Sequence, residues 1–233
     1  MTTKISLRKK WYKRWWGIII LFFILLFLVL SLASSLYIVK MIHNLRQSQE
    51  LSNTISYEDI RSQVEGPSLI SLGKNDAPIT VVEFSDFNCV YCLESSEIGR
   101  HLIDSYKGSV RLIYRDLPIV DVSSITKALA GRCANEQGKF WEMYDTLFQY
   151  QDKTEISDMV RLAGTIGLNE TAFQNCLDNQ SHLSQIQKDY LDAEELKING
   201  TPTWFINGNR ISGYVPEEAL ISLIDKLLEY EGN

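Results

Sequence analysis

Apolar and polar positions divide this chain at about residue 40. Residues 15–39 carry no formal charge and are dominated by Ile, Leu, Phe and Val. As a helix these 25 residues would reach about 37 Å at 1.5 Å per residue, enough to span a hydrocarbon core of about 30 Å with some tilt. Residues 40–66 are polar with scattered Leu and Ile and close on Gly66-Pro67, which predicts a partly helical stalk.

Beyond the stalk the pattern is that of a globular domain, expected over residues 67–233. Ile79-Thr80-Val81-Val82-Glu83-Phe84 is a short, β-branched run that predicts a buried strand. A helix is predicted over 90–106, ended by Gly108, and Val110-Arg111-Leu112-Ile113-Tyr114 is a second strand stopped by Pro118. Strand, helix, strand is a βαβ unit and implies a parallel pair. Residues 123–197 then carry helical periodicity in five pieces, 123–136, 139–150, 156–166, 170–178 and 181–197, with no strand between them. Strand character returns at Thr203-Trp204-Phe205-Ile206, turns at Asn207-Gly208-Asn209, a strong hairpin signal, resumes at Arg210-Ile211-Ser212, and yields to a last helix from Pro216 to about Tyr230.

Charge sharpens the division. Residues 1–40 hold seven basic side chains and no acid, so the remainder carries 16 basic against 29 acidic groups, a balance of −13. An acidic globular part offers no electrostatic footprint for nucleic acid, and none is expected as a partner. Lys9, Lys10, Lys13 and Arg14 flank the apolar run on its N-terminal side. The positive-inside tendency therefore assigns residues 1–14 to the cytoplasm and the domain to the outside. Trp11, Tyr12, Trp15 and Trp16 suit an interfacial aromatic belt. A cleaved signal peptide is the competing reading, since Ala33-Ser34-Ser35 offers small residues, but Leu36-Tyr37-Ile38-Val39 continues the apolar run past it. Either reading exports the domain.

Cys89-Val90-Tyr91-Cys92 falls where the first strand ends and a helix begins. Unpaired N–H groups there favour a thiolate on the first cysteine. The second can reach back across one turn to resolve a mixed disulfide. A zinc site or a static disulfide is the other account. Zinc wants four ligands, and Cys133, Cys176, His43, His101 and His182 fall singly, not at ligand spacing. Far along the chain, Gly200-Thr201-Pro202-Thr203 puts a proline directly before a strand, a place for an edge, a bulge or a cis turn.

These marks together resemble the DsbA-like branch of the thioredoxin superfamily, over about residues 68–230. The cysteine pair after the first strand, the helical insert at about 119–197, the Thr201-Pro202 turn before the hairpin and the closing helix all match. The resemblance implies a thioredoxin-like α/β fold with a helical insert, preceded by one transmembrane helix. It implies a cis Pro202 facing the cysteines, with Thr201 and Pro202 aligning a substrate segment as an added strand. Glu83, six residues before Cys89, takes the place of a buried acid that moves protons during exchange; its other reading is a surface carboxylate. Because it interrupts a run that should be buried on both faces, an ionisable side chain there needs a reason. Val90-Tyr91 departs from the Pro-His dipeptide of the strong oxidants, so the resemblance implies no value for the potential. Some relatives bind calcium, but no acidic run here has calcium-loop spacing and no metal is expected.

Cys133 and Cys176 lie on predicted helices. In an exported chain with two cysteines already assigned, a structural disulfide between the others is the simplest account, and closing about 44 residues would stabilise the fold by roughly 4 kcal/mol on the chain-entropy model. Two free buried thiols, or a second redox relay, are the alternatives. Phe140, Trp141, Tyr144, Leu147 and Phe148 recur at helical spacing and are expected in the core. The function expected is donation of a disulfide to reduced exported proteins, with reoxidation by a quinone-linked membrane protein and no organic cofactor. The alternatives are a reductase or isomerase kept reduced by a membrane electron donor, and a substrate-holding chaperone on the same scaffold.

Overall fold

The structure is a computed structural model that describes residues 11–66, 70–153 and 155–231, and the side chains of these except 11–14, 48–59 and 231. Residues 1–10 of the expected basic tail, and Pro67, lie outside the described residues. The chain divides into two units, Met1–Ser56 and Tyr57–Asn233. Over its described residues the first unit belongs to helix α1 (Trp11–Glu65). Within α1, Trp15–Gln47 is the one stretch among the described residues long and apolar enough to cross a membrane, with a mean hydropathy of 3.0 over its most apolar 18 residues.

The second unit begins within the expected stalk. The last turns of α1 are helical to Glu65, and Val64 is buried against Val82, Phe84, Ile113 and Phe205. The polar composition of residues 41–65 hid this single apolar anchor. Five strands follow in the spatial order β1-β3-β2-β4-β5, with β1 at Ser71–Gly73, β2 at Ile79–Ser85, β3 at Val110–Asp116, β4 at Thr203–Ile206 and β5 at Asn209–Ser212. β2 runs parallel to β3 and antiparallel to β4, and β1 pairs antiparallel with β3. Three residues are too few to show alternation, so β1 left no mark in the sequence pattern. The hairpin between β4 and β5 turns on Asn207 and Gly208, both at positive φ (45° and 80°), as a two-residue turn of this kind requires.

Every residue of β2 is buried, as a central strand covered on both faces must be. Alternation sends Val81, Glu83 and Ser85 to one face and Val82 and Phe84 to the other. On the first face Ile79, Val81, Leu112 and Trp204 pack against Ile98 and Leu102 of α3 (Ile98–Ser105) and Leu220 and Ile224 of α9 (Glu217–Glu231). On the second, Phe84, Ile113 and Phe205 meet Ala193 of α8 (Leu183–Glu195). The insert comprises α4 (Ser123–Glu136), α5 (Phe140–Gln149), α6 (Ile156–Thr165), α7 (Glu170–Asp178) and α8. Its core of Met143, Tyr144, Leu147 and Phe173 is continuous with Phe87, Cys89 and Cys92. The expected single helix over 90–106 is two, α2 (Val90–Ser95) and α3, with a break at Ser96-Glu97. Ser95 Oγ donates to Tyr91 O at 2.7 Å and Ser96 Oγ to Leu93 O at 2.9 Å; such back-bonding competes with the helical ladder and bends it.

Candidate active site

Cys89 stands at the N-cap of α2 in extended backbone (φ −79°, ψ 123°). Its sulfur occupies the position where a Ser or Asp oxygen usually caps a helix, and the Cys92 N–H donates to it at 3.3 Å. On its other side Cys89 Sγ lies 3.3 Å from the Thr201 carbonyl oxygen, and the Thr201-Pro202 peptide bond is cis. The turn from 112 residues away and the cysteine pair thus meet. Both thiols are free. Cys89 is 7% exposed, whereas Cys92 is completely covered.

The two sulfurs differ in acidity. Contact with the Cys92 thiol, then the Thr201 side chain and the N–H groups of Cys92 and Tyr91, lowers the Cys89 pKa from 9.0 to about 6 against the opposing effect of burial. Burial pushes Cys92 far up, and the Cys89 sulfur and Glu83 charge push the same way. Near pH 7 the first sulfur is mostly thiolate and the second is a thiol. That is the asymmetry needed for one to attack and the other to wait.

Glu83 is 1% exposed, and in register it sits between Tyr114 of β3 and Trp204 of β4. Burial raises its carboxyl from 4.5 to about 8, with the Ser85 and Tyr144 hydroxyls pulling the other way. Tyr144 donates to Oε2 at 3.3 Å, while Oε1 has no hydrogen-bond partner among the described residues. Among the described residues no cation pairs with it.

Several groups that hold this site escaped sequence reasoning. Asp86 Oδ1 accepts from the Asn88 N–H, and its Oδ2 accepts from the N–H groups of Ile119 and Val120, each at 2.8 Å. The buried Lys127 donates to Asn88 Oδ1 and to Gln151 O. Gln151 Nε2 in turn donates to the carbonyls of Phe87 (2.9 Å) and Cys89 (3.1 Å). The insert therefore braces the backbone on which Cys89 is mounted. Asn88 beside the pair was a visible polar residue, but its partners lie 33 to 39 residues downstream and no local pattern pointed to them.

Cys133 and Cys176 are joined in a disulfide, Cα to Cα 5.9 Å, within the insert core. Their sulfurs and a ring nitrogen of His182 lie within 4.8 Å of one another, but paired sulfurs are not thiolate ligands. His182 is instead hydrogen-bonded to Gln185 (2.6 Å) and Glu136 (2.7 Å). His101 lies 3.6 Å from Glu217.

The sequence profile of the thioredoxin family matches residues 44–226. The chain belongs to the thioredoxin family. Its fold is that of the DsbA-like members: it is similar to a thioredoxin-like oxidoreductase from Silicibacter pomeroyi (28% identity, TM-score 0.66, 72% of this chain and 98% of that one). It also resembles BdbD from Bacillus subtilis (25% identity, TM-score 0.59, 68% and 92%). The thiol-disulfide exchange protein α-DsbA2 from Wolbachia pipientis shares the fold at 19% identity (TM-score 0.68, 77% and 98%). Among curated sequences, the thioredoxin-family chain is 38% identical over 154 residues to the Na(+)/H(+) antiporter NhaA 3 of Salinispora tropica, covering 65% of this chain and 24% of the antiporter. A relative from Salinispora arenicola, NhaA 1, matches at 34% over the same shares. The chain thus spans about a quarter of the length of these relatives. The family and the cysteine pair support thiol–disulfide oxidoreductase activity in general.

Proposed function

We propose that this oxidoreductase is membrane-anchored, works outside the cytoplasm and donates a Cys89–Cys92 disulfide to reduced cysteines of exported proteins. The observation that carries the reading is the opposed acidity of the two sulfurs. A depressed Cys89 pKa stabilises the reduced enzyme, which makes its disulfide a better oxidant. A substrate thiolate attacks Cys89 Sγ, the Cys89–Cys92 bond breaks, and Cys92 leaves as thiolate and takes a proton. A second substrate thiolate then attacks the sulfur bonded to Cys89 and expels the Cys89 thiolate. The substrate loses two electrons and the enzyme dithiol holds them. Thr201 and Pro202 border Cys89, where a substrate strand would align. A quinone-linked membrane protein would take the electrons back, and the apolar stretch of α1, with its basic flank, would hold both in one bilayer. In the antiporter relatives a matching domain is part of a membrane protein, which supports the same placement.

Reduction is the second reading, and one observation favours it. A Cys89 pKa of about 6 lies nearer the thioredoxin value of about 7 than the DsbA value of about 3.5, in keeping with the uncharged Val90 and Tyr91. The deciding measurement is the reduction potential of the full-length chain in detergent, equilibrated in graded glutathione buffers with the cysteine state read by alkylation. A value toward about −120 mV supports the donor, and one near about −270 mV establishes the reductive direction and removes the first reading. Cys89→Ser abolishes exchange in either case.

A further inference from the structure

The Tyr144 ring lies where the helical periodicity expects it, in an aromatic cluster with Phe87 (5.8 Å between centroids), Tyr114 (5.6 Å) and Phe148 (4.8 Å). Its hydroxyl does something the cluster does not need. It has one proton and two acceptors at nearly equal distance: Glu83 Oε2 at 3.3 Å and the Ser96 carbonyl at 3.4 Å. Ser96 also lines an open cleft of about 600 Å³ with Glu97, Arg100, His101 and Asp145, where Arg100 donates to Asp145. The same hydroxyl therefore touches a fully buried carboxyl on one side and, on the other, the backbone of a residue that lines the cleft.

We propose that Tyr144 is a positioning residue for proton exchange between Glu83 and Cys92: its hydroxyl holds Oε2, leaves Oε1 to carry the proton, and has the Ser96 carbonyl as its alternative acceptor. The idea rests on the thiol–disulfide cycle proposed above and concerns its reoxidation, when Cys92 resolves a mixed disulfide between Cys89 and the oxidising partner. Cys92 Sγ–H gives its proton to the Glu83 carboxylate. The Cys92 thiolate attacks Cys89 Sγ in a mixed disulfide, the Cys89–Cys92 bond forms, and the partner leaves as thiolate with the two electrons. Glu83 then returns the proton to water, and the second acceptor at Ser96 lets the tyrosine release Oε2 without stranding its own buried hydroxyl. The titratable groups facing Glu83 are Cys89 and Cys92 from the α2 side, Tyr114 from β3 and Tyr144 from α5. Among these, Tyr144 is the one seen donating to the carboxylate.

The test separates the two sulfurs. Full-length reduced protein is mixed with 5,5′-dithiobis(2-nitrobenzoate) between pH 5 and 9. Attack by Cys89 releases one thionitrobenzoate, and resolution by Cys92 releases the second. Removing the donor in Tyr144→Phe raises the Glu83 pKa, so less carboxylate is present at a given pH. We expect the second release to slow about tenfold at pH 7 and its pH midpoint to move upward, with the slowing confined to that phase. Glu83→Gln slows the same phase further, and the double variant is no slower than Glu83→Gln alone, because the tyrosine acts through the carboxyl. Phe148→Leu, which disturbs the same ring cluster without touching a hydroxyl, leaves the midpoint in place. An unshifted midpoint in Tyr144→Phe, a shift of equal size in Phe148→Leu, or full additivity in the double variant overturns the proposal. A wild-type chain lacking the first release fails at the cycle itself, a different failure from these.

Discussion

Glu83 and Arg115 are buried ionisable side chains on neighbouring strands of one sheet, on opposite faces, and they are treated in opposite ways. Arg115, fully covered, donates to Asp189 Oδ1 at 2.6 Å and Asp192 Oδ2 at 2.5 Å, to the carbonyls of Gln63 (3.1 Å) and Val64 (2.9 Å), and lies over the Phe84 ring at 5.0 Å. Arg132 closes the set by donating to Asp116 and Asp189. Glu83 has the Tyr144 hydroxyl at 3.3 Å and, among the described residues, no counter-ion. Complete pairing makes Arg115 a joint between β3, α8 and the end of α1. Incomplete pairing leaves Glu83 with its proton balance displaced toward neutral pH, which is what exchange with a thiol requires.

Breaking the paired side has the largest effect. Arg115→Met takes one of two cations from each of Asp189 and Asp192, which keep Arg132 and Lys188, and removes the donor to the Gln63 and Val64 carbonyls; denaturant unfolding should register a loss of about 3 kcal/mol. The unpaired side responds with the opposite sign. The Glu83 pKa is raised from 4.5 to about 8, so its burial costs nothing below pH 4.5, costs more as pH rises, and reaches its full value above pH 8. Glu83→Gln should therefore stabilise the fold by on the order of 3 kcal/mol at pH 8 and by nothing measurable at pH 4, while activity falls. The smallest effect sharpens the comparison most. The Cys89 thiolate, followed by absorbance at 240 nm, should titrate near pH 6. Because Glu83 still holds its proton there, Glu83→Gln should move that midpoint by less than about half a unit. For the reduced protein the Cys89 contribution is complete above the unfolded value of 9.0 and disappears as pH falls through about 6.

How legible each region was follows from how local its causes are. The β-branched run of β2, the C-x-x-C at its end, the Asn-Gly hairpin and the helix lengths are written in neighbouring residues, and the strand–helix–strand order follows from them. Glu83 was visible as a charge inside an apolar strand. Its tyrosine was not, because Tyr144 lies 61 residues away and reads as one more ring in an amphipathic helix. Arg115 hid in the same way: in Val110-Arg111-Leu112-Ile113-Tyr114-Arg115 it looks like a strand-end cation, and the aspartates that enclose it come 74 and 77 residues later. The break between α2 and α3 had a local cause, Ser95-Ser96, whose competition with the backbone outweighs otherwise sound helical spacing.

The disulfide in the insert gives the chain a double relation to its own chemistry. Four cysteines can be joined in three ways, and only the arrangement with Cys133 bonded to Cys176 leaves Cys89 and Cys92 to each other. A newly made copy that joins Cys133 or Cys176 to either of the other two cysteines loses the Cys89–Cys92 pair. The insert thus makes the chain one that needs correct disulfide pairing for itself, and a mispaired copy would lack the Cys89–Cys92 pair even with all four cysteines oxidised.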